Sequence, residues 1–564
     1  MTREIEADPA LGRLAEAILI PPFPGGQEPG WVRAALGDGL GGVTLFGSNV
    51  QDRQQLARLT ASLRSAAIEP VIAIDEEGGD VTRISHQTGS DYPGNAALGA
   101  IDDTDLTRLV YAALGADLAA LGINLDLAPA VDVNTAADNP VIGTRSFGAD
   151  PALVARHAAA AVVGLQSAGV AACAKHFPGH GSTTLDSHLV LATVDAPLSV
   201  LRARELPPFA AAIAAGVRAI MPSHLRVPEL TGDLPASLSR RAQTDLLRGE
   251  LGFTGVIVSD GLEMRAVSEP YGIPEAAVRA VIAGTDLLCL GRDQDQLSFL
   301  AVKAALVEAV RSGRLPGSRL EEAAARVAEL REWTAAAAET AAAGASVGTA
   351  AVGDTSAGAA ASGATAVAAA NAGAAASGAA AADQVRIPTQ TRPSTAGTRR
   401  MSVVGAGRPV LDAAPAPSIG LAAARRAVTI HGVPPALHEP LVVQLVPPSN
   451  LAVGAVPWGL SSFVPADSYR LVSTASAGED LAYLVSGLLA EADDRSLIIV
   501  VRDAHRHPAA RQAVQLMVAG RPDAVVVEMG LPVWQPAEVS YVASYGAGRS
   551  NARATAELLG LTGS

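Results

Sequence analysis

Of the ten histidines in this chain, four fall between residues 176 and 224. Three stand in one stretch, KHFPGHGSTTLDSH (175–188), which also carries Lys175 and Asp186; the fourth, His224, lies in MPSHLRVPEL. A lone histidine at a strand end is ordinarily structural. Four at successive strand ends, interleaved with Lys and Asp, point to chemistry. Metal-assisted hydrolysis is one candidate, because His176, His180, Asp186, His188 and His224 are all acceptable ligand types. Lys175 would then set a cation beside the metal, and the spacing matches neither HExxH nor an HxH strand pair. Glycosyl transfer is the other candidate: one carboxylate attacks the anomeric carbon and a separate group protonates the leaving oxygen. Asp260, at the end of the hydrophobic run GVIVSD, is placed to attack. Asp186 and His188 are two apart. A neighbouring carboxylate orients an imidazole and raises its pKa, which makes a usable acid/base near neutral pH.

These side chains need a scaffold that gathers strand ends. Eight short apolar runs qualify as buried parallel strands: 15–21, 42–47, 70–75, 123–133, 170–177, 217–224, 255–260 and 285–291. Amphipathic stretches such as ARLTASLRSAA and ARHAAAAVVGLQSAG lie between most of them. The alternation predicts an α/β fold, a TIM-like (β/α)8 barrel over residues 1–335, ahead of an open doubly wound sheet. Barrel active sites form at the C-terminal strand ends, where polar residues collect here: Asp75 and Arg83, Arg145, Lys175 and His176, His224, Asp260. Residues 336–416 are rich in Ala, Gly, Ser, Thr and Pro and predict a low-complexity linker, partly helical at its start. Residues 417–564 carry Val/Ile-rich runs at 441–446, 496–505 and 523–530, separated by helical stretches. They predict a smaller α/β sandwich domain with a mainly parallel sheet.

Composition bounds the function. A net charge of −14 and a pI near 5.2 argue against nucleic-acid or anionic-membrane partners. Cys173 and Cys289 sit in strand-like runs and are expected to be buried and reduced, as suits a cytosol. The N-terminal stretch lacks a basic n-region, and no run of about 18 strongly apolar residues occurs, so a soluble, cytoplasmic protein is expected. VVGAGRP and YGAGRSN follow no clear strand and do not read as dinucleotide loops. Gly78-Gly79 reads as a tight turn or a close backbone approach. Asp503, His505 and His507 read as a solvated loop, and His157 and His431 as structural.

The segments KHFPGHGSTTLDSH, IDEEGGDVTR, NPVIGTRSFG, MPSHLRVPEL and LGFTGVIVSDGLEM resemble, in order and spacing, those of family 3 β-N-acetylglucosaminidases, the NagZ-like group. The later segment from IGLAAARRAV onward is similar to the second domain of two-domain members. The resemblance implies Asp260 as nucleophile, His188 as acid/base and Asp186 as its carboxylate partner. It implies that Asp75, Arg83, Arg145, Lys175, His176 and, more weakly, His224 bind the sugar. The implied activity is retaining exo-hydrolysis of terminal β-linked GlcNAc from chitooligosaccharides or muropeptides, with no metal or organic cofactor. The expected partner is thus a carbohydrate, with homo-oligomerisation left open. A phosphorylase or a β-glucosidase on the same fold is the alternative, and a non-catalytic sugar-binding protein the alternative of another class. Two positions depart from the pattern. Asp80 replaces the usual Arg and is expected to alter what lies just beyond the sugar. Gly261 follows the nucleophile where Asp or Ala is common.

Overall fold

The computed structural model describes residues 9–186, 190–352, 418–433, 436–447, 453–474 and 481–562. Each of the eight apolar runs contributes a strand, though a shorter one than its run. These are β1 (Leu19–Ile20), β2 (Gly42–Leu45), β3 (Val71–Ile74), β4 (Leu125–Asp126) and β5 (Ala171–Phe177). After a short β6 (Ala192–Thr193) come β7 (Ala219–Pro222), β8 (Leu225–Arg226), β9 (Val256–Ile257) and β10 (Leu288–Cys289). The run at 15–21 is mostly not strand: its first residues close the helix Pro9–Ala17, whose Ala15 and Glu16 are buried.

Six strands form one parallel sheet in the order β2-β3-β4-β5-β7-β9, and β1 pairs in parallel with β10. Backbone bonds run between these sets. Thr44 N donates to Pro21 O (3.3 Å), Ser259 N donates to Leu287 O (2.8 Å), and Val258 bridges Leu287. β6 and β8 make a separate small ladder. The sheet is curled, and both its surfaces are dry, which is why its strands read as continuous apolar runs. Ile72, Ile74, Leu125, Ala171, Cys173, Ile220, Ile257 and Leu288 all lie in one core. The surrounding helices start where the sequence supplies caps. The Asp52, Asp103, Asp150 and Asp295 carboxylates accept the Gln55, Leu106, Ala152 and Ser298 N–H groups, worth about 1 kcal/mol each.

The helix Gly317–Val352 carries the chain into the predicted linker; residues 353–417 lie outside the described residues. Then follow β11 (Thr429–His431), β12 (Leu441–Val446), β13 (Tyr469–Ser473), β14 (Leu497–Val501), β15 (Val525–Glu528) and β16 (Ser540–Ala543), ordered β11-β16-β15-β14-β12-β13. Only β11 is antiparallel. Side chains alternate across this sheet. Leu441, Val443 and Leu445 pack with the helices Leu481–Ala492 and Pro508–Gly520, whereas Val442, Ile498 and Val527 pack with the helix Arg549–Leu558. The sequence reading anticipated β12, β14 and β15 but not β11, β13 or β16, whose residues are half exposed or short of Val and Ile.

The two sheets belong to one compact unit, and Asp80 is a principal tie between them. Its carboxylate accepts the Ala547 N–H (2.8 Å) and pairs with Arg502 (3.0 Å), while Thr144 Oγ1 donates to it from its own side (2.5 Å). The expected role of Asp80 beside the sugar is not where its contacts lie: it reaches the second sheet domain. His505, expected on a solvated loop, is 8% exposed, and its Nε2–H donates to Ala137 O (2.8 Å). His157 is buried between Thr107 and Asp102. Among the described residues no helix is long and apolar enough to cross a membrane.

Candidate active site

One cavity opens at the C-terminal ends of the curled sheet. It is lined, among others, by Asp75, Glu77, Arg83, Arg145, Lys175, His176, His180, Asp260 and Glu263. Asp75 and Glu77 follow β3, Lys175 and His176 close β5, and Asp260 follows β9. Gly78 and Gly79 make the turn after β3 possible. Both have positive φ, and a Cβ on Gly79 would stand 2.5 Å from the Gly94 Cα.

The charged groups here satisfy one another. The Lys175 ammonium lies 2.7 Å from Asp75 and 2.8 Å from Glu77. Arg145 grips Glu77 with two bonds, Nε–Oε2 at 2.8 Å and Nη2–Oε1 at 2.7 Å. Arg83 approaches Asp75 at 3.7 Å. Burial opposes ionisation of Glu77, but Arg145 and Lys175 outweigh it and hold its carboxyl well below the ordinary range. Asp75 is likewise lowered, against burial, by Lys175 and Arg83. Burial disfavours the Lys175 charge, yet Asp75 and Glu77 raise its pKa. Arg145 Nη2 also reaches His176 Nε2 (3.3 Å). A guanidinium only donates, so Nε2 accepts and Nδ1 carries the proton, which goes to Asp132 Oδ2 (2.8 Å). Asp132 also accepts the His180 backbone N–H (2.7 Å). Burial depresses His180 to about 4.

Asp260 accepts the Gly261 N–H (2.8 Å). Behind this turn His224 is fully buried, bonded through Nδ1 to Ser237 Oγ (2.6 Å) and through Nε2 to Gly261 O (3.0 Å). It supports the Asp260 turn from behind and is not among the lining residues. Glu263 fills the room that Gly261 leaves. A Cβ at Gly261 would lie 2.3 Å from Glu263 Oε2, and one at Gly291 1.4 Å from it. Glu263 Oε1 accepts the Arg292 N–H (2.7 Å), and burial, with the Asp260 charge adding to it, pushes the carboxyl up to about 7. The glycine after Asp260 is therefore paired with the acid three residues on from Asp260.

Six of the residues implied by the resemblance thus meet in one cavity, Asp75, Arg83, Arg145, Lys175, His176 and Asp260, and His180 lines it too. Asp186 is half buried and outside the lining, and His188 lies outside the described residues. Glu77, Asp132 and Glu263 were not assigned roles from sequence, although all three stand beside assigned residues or strand ends. Their signal was an acid placed in or against an apolar run, where burial demands a partner. Among the described residues no group of three or more His, Cys, Asp or Glu side chains is arranged to hold a metal ion.

Comparison with known proteins gives the family. The model of the glycosyl hydrolase family 3 N-terminal domain matches residues 32–330. The beta-hexosaminidase A of Pseudoalteromonas piscicida is 36% identical over 318 residues, 52% of this chain and 53% of that protein, so the chain spans about half the length of this relative. A beta-hexosaminidase of Stenotrophomonas maltophilia is 39% identical over 269 residues, 46% of this chain and 78% of that protein. Among solved structures, a glycoside hydrolase family 3 beta-N-acetylglucosaminidase from Paenibacillus sp. superposes with a TM-score of 0.76 at 29% identity, covering 98% of this chain and 97% of that one. The chain belongs to glycosyl hydrolase family 3.

Proposed function

We propose that the chain is a retaining exo-β-N-acetylglucosaminidase that removes terminal non-reducing β-GlcNAc from chitooligosaccharides or muropeptides. The observation that carries this is the apposition, in one cavity, of Asp260 with the charge-balanced set Asp75, Lys175, Glu77, Arg145 and His176. The names of the relatives support the same activity.

Asp260 attacks C1 and forms a glycosyl-enzyme; His188, oriented by Asp186, protonates the leaving oxygen and then deprotonates water, so configuration is retained. Lys175 and Arg145 present donors, and Asp75 an acceptor, to the sugar's hydroxyls and acetamido group. Because each is held by a countercharge, they are oriented before substrate arrives, which lowers the cost of binding. The eight-stranded (β/α)8 barrel belongs to this reading, supported by the bonds that link β1 to β2 and β9 to β10. So do the domain limits 1–335, 336–416 and 417–564, and a reducing, cytoplasmic setting, in keeping with two buried free thiols.

The test is turnover of aryl β-N-acetylglucosaminide and aryl β-glucoside, with and without phosphate, by wild type and Asp260→Ala. Cleavage of the acetamido sugar, abolished in the variant, is expected, with free sugar as product. A sugar 1-phosphate product makes the enzyme a phosphorylase instead; no turnover by folded wild type sinks the proposal.

A further inference from the structure

Glu263 stands apart from Asp75 and Glu77, which line the same cavity. Asp75 and Glu77 are each held by cations. Among the described residues no cation contacts the Glu263 carboxyl; Oε1 accepts the Arg292 N–H, and Oε2 is buried with no hydrogen-bond partner. An ionised carboxylate offers about four lone-pair sites. Buried polar atoms ordinarily find partners, and one left without is costly unless a ligand supplies what is missing. The local backbone is shaped around this side chain. Its carboxyl occupies space between the turns after β9 and β10, where a Cβ on Gly261 or Gly291 would overlap it. Those two turns face the same cavity as Asp260.

We infer that Glu263 is a specificity-determining residue that accepts a hydrogen bond from one hydroxyl of the pyranose bound beside Asp260. The inference rests on the reading of this cavity as the sugar site. The partner is a donor, because the Arg292 N–H occupies one oxygen only and the carboxyl, ionised or protonated, has acceptor capacity to spare. Glu263 thus supplies a polar contact from the Asp260 wall of the cavity, complementing the donors Lys175 and Arg145. It takes no proton-transfer step.

The experiment is a coupling measurement on the full-length protein. Wild type, Glu263→Ala and the shape-conserving Glu263→Met are assayed on an aryl β-N-acetylglucosaminide and its 3-, 4- and 6-deoxy analogues, with thermal unfolding recorded for each protein. In wild type one analogue is expected to lose about tenfold or more in kcat/KM, the size of a hydrogen bond to a charged group. In the variants that analogue is expected to be turned over as well as the parent, while the other two keep their wild-type ratios. Overturning results are losses that are the same in wild type and variants for all three analogues, or a variant that unfolds earlier with wild-type selectivity. If Glu263→Ala fails to fold, the Met variant decides by the same criterion. A wild type inactive on the parent glycoside refutes the sugar-site reading itself, and the inference with it, and so is distinguished from an additive deoxy series on an active enzyme.

Discussion

Glu77 and Glu528 occupy comparable places in the two sheets and live under opposite rules. Each is a buried acid at the C-terminal end of a parallel strand, β3 and β15. Glu77 is clasped by Arg145 and Lys175. Among the described residues Glu528 has backbone donors only, the N–H groups of Asp503 (2.7 Å), Ala504 (3.1 Å) and Gly530 (2.7 Å). Burial, then the nearby Asp503 charge, pushes its carboxyl up to about 8. Cations make a buried acid a fixed anion, and fixed charges of both signs make a cavity able to bind a polar ligand. Backbone amides alone leave the acid largely protonated at neutral pH, where it ties a loop together instead. The strand-end position permits a site; the neighbouring cations create one.

The largest expected effect tests the catalytic side of this contrast. Asp260→Ala should lower kcat by at least about 10³-fold, whereas Asp503→Asn in the loop after β14 should leave steady-state kinetics within about twofold of wild type. Next, Glu77→Ala strands Arg145 and Lys175 without their shared counterion. It is expected to cost about 3–5 kcal/mol of stability by denaturant titration, and KM should rise as the cavity's donors lose their fixed positions. Asp80→Ala removes the acceptor for Arg502 and Ala547; a loss of about 2 kcal/mol is expected from the same titration.

The smallest effect concerns pH. Glu528→Gln should cost about 1 kcal/mol at pH 5, because the amide nitrogen that replaces one oxygen cannot accept the Ala504 N–H. Above that the signs separate. Glu528 keeps in the folded state a proton that the unfolded chain gives up near 4.5, so its contribution falls as pH rises towards about 8. Glutamine at this position should flatten that decline, and thermal unfolding from pH 5 to 8 measures it. Glu77 has the opposite sign. Its folded pKa is lowered, so its stabilisation is present above the ordinary carboxylate value and is lost only as pH falls below it. A wild-type stability curve flat across both windows would contradict both assignments.

Much of the fold was legible because buried parallel strands are apolar on both faces. Runs such as PVIAID and GVIVSD announce themselves and deliver Asp75 and Asp260 at their ends. Strand length was not legible, since an apolar run continues into irregular backbone that is equally buried, as after β4. The site was legible wherever ionisable residues cluster locally, as in Lys175-His176. It was not where a pair is made across the chain. Glu77 and Arg145 are 68 positions apart, and Asp132 and His176 are 44 apart. Sequence showed each as an isolated polar residue; only the fold shows them as partners. Asp80 is the clearest case, because its partners Arg502 and Ala547 lie more than four hundred positions away.

That last contact bears on how the gene can be cut. A chain ending before the second sheet would keep Asp80, 5% exposed in the intact protein, without Arg502 and without the Ala547 amide. The carboxylate would need water in their place. Truncation is therefore a chemical change within the N-terminal half as well as a shortening. A shortened version would call for a substitution at residue 80, an uncharged side chain that can keep company with Thr144, to be a fair copy of the original half.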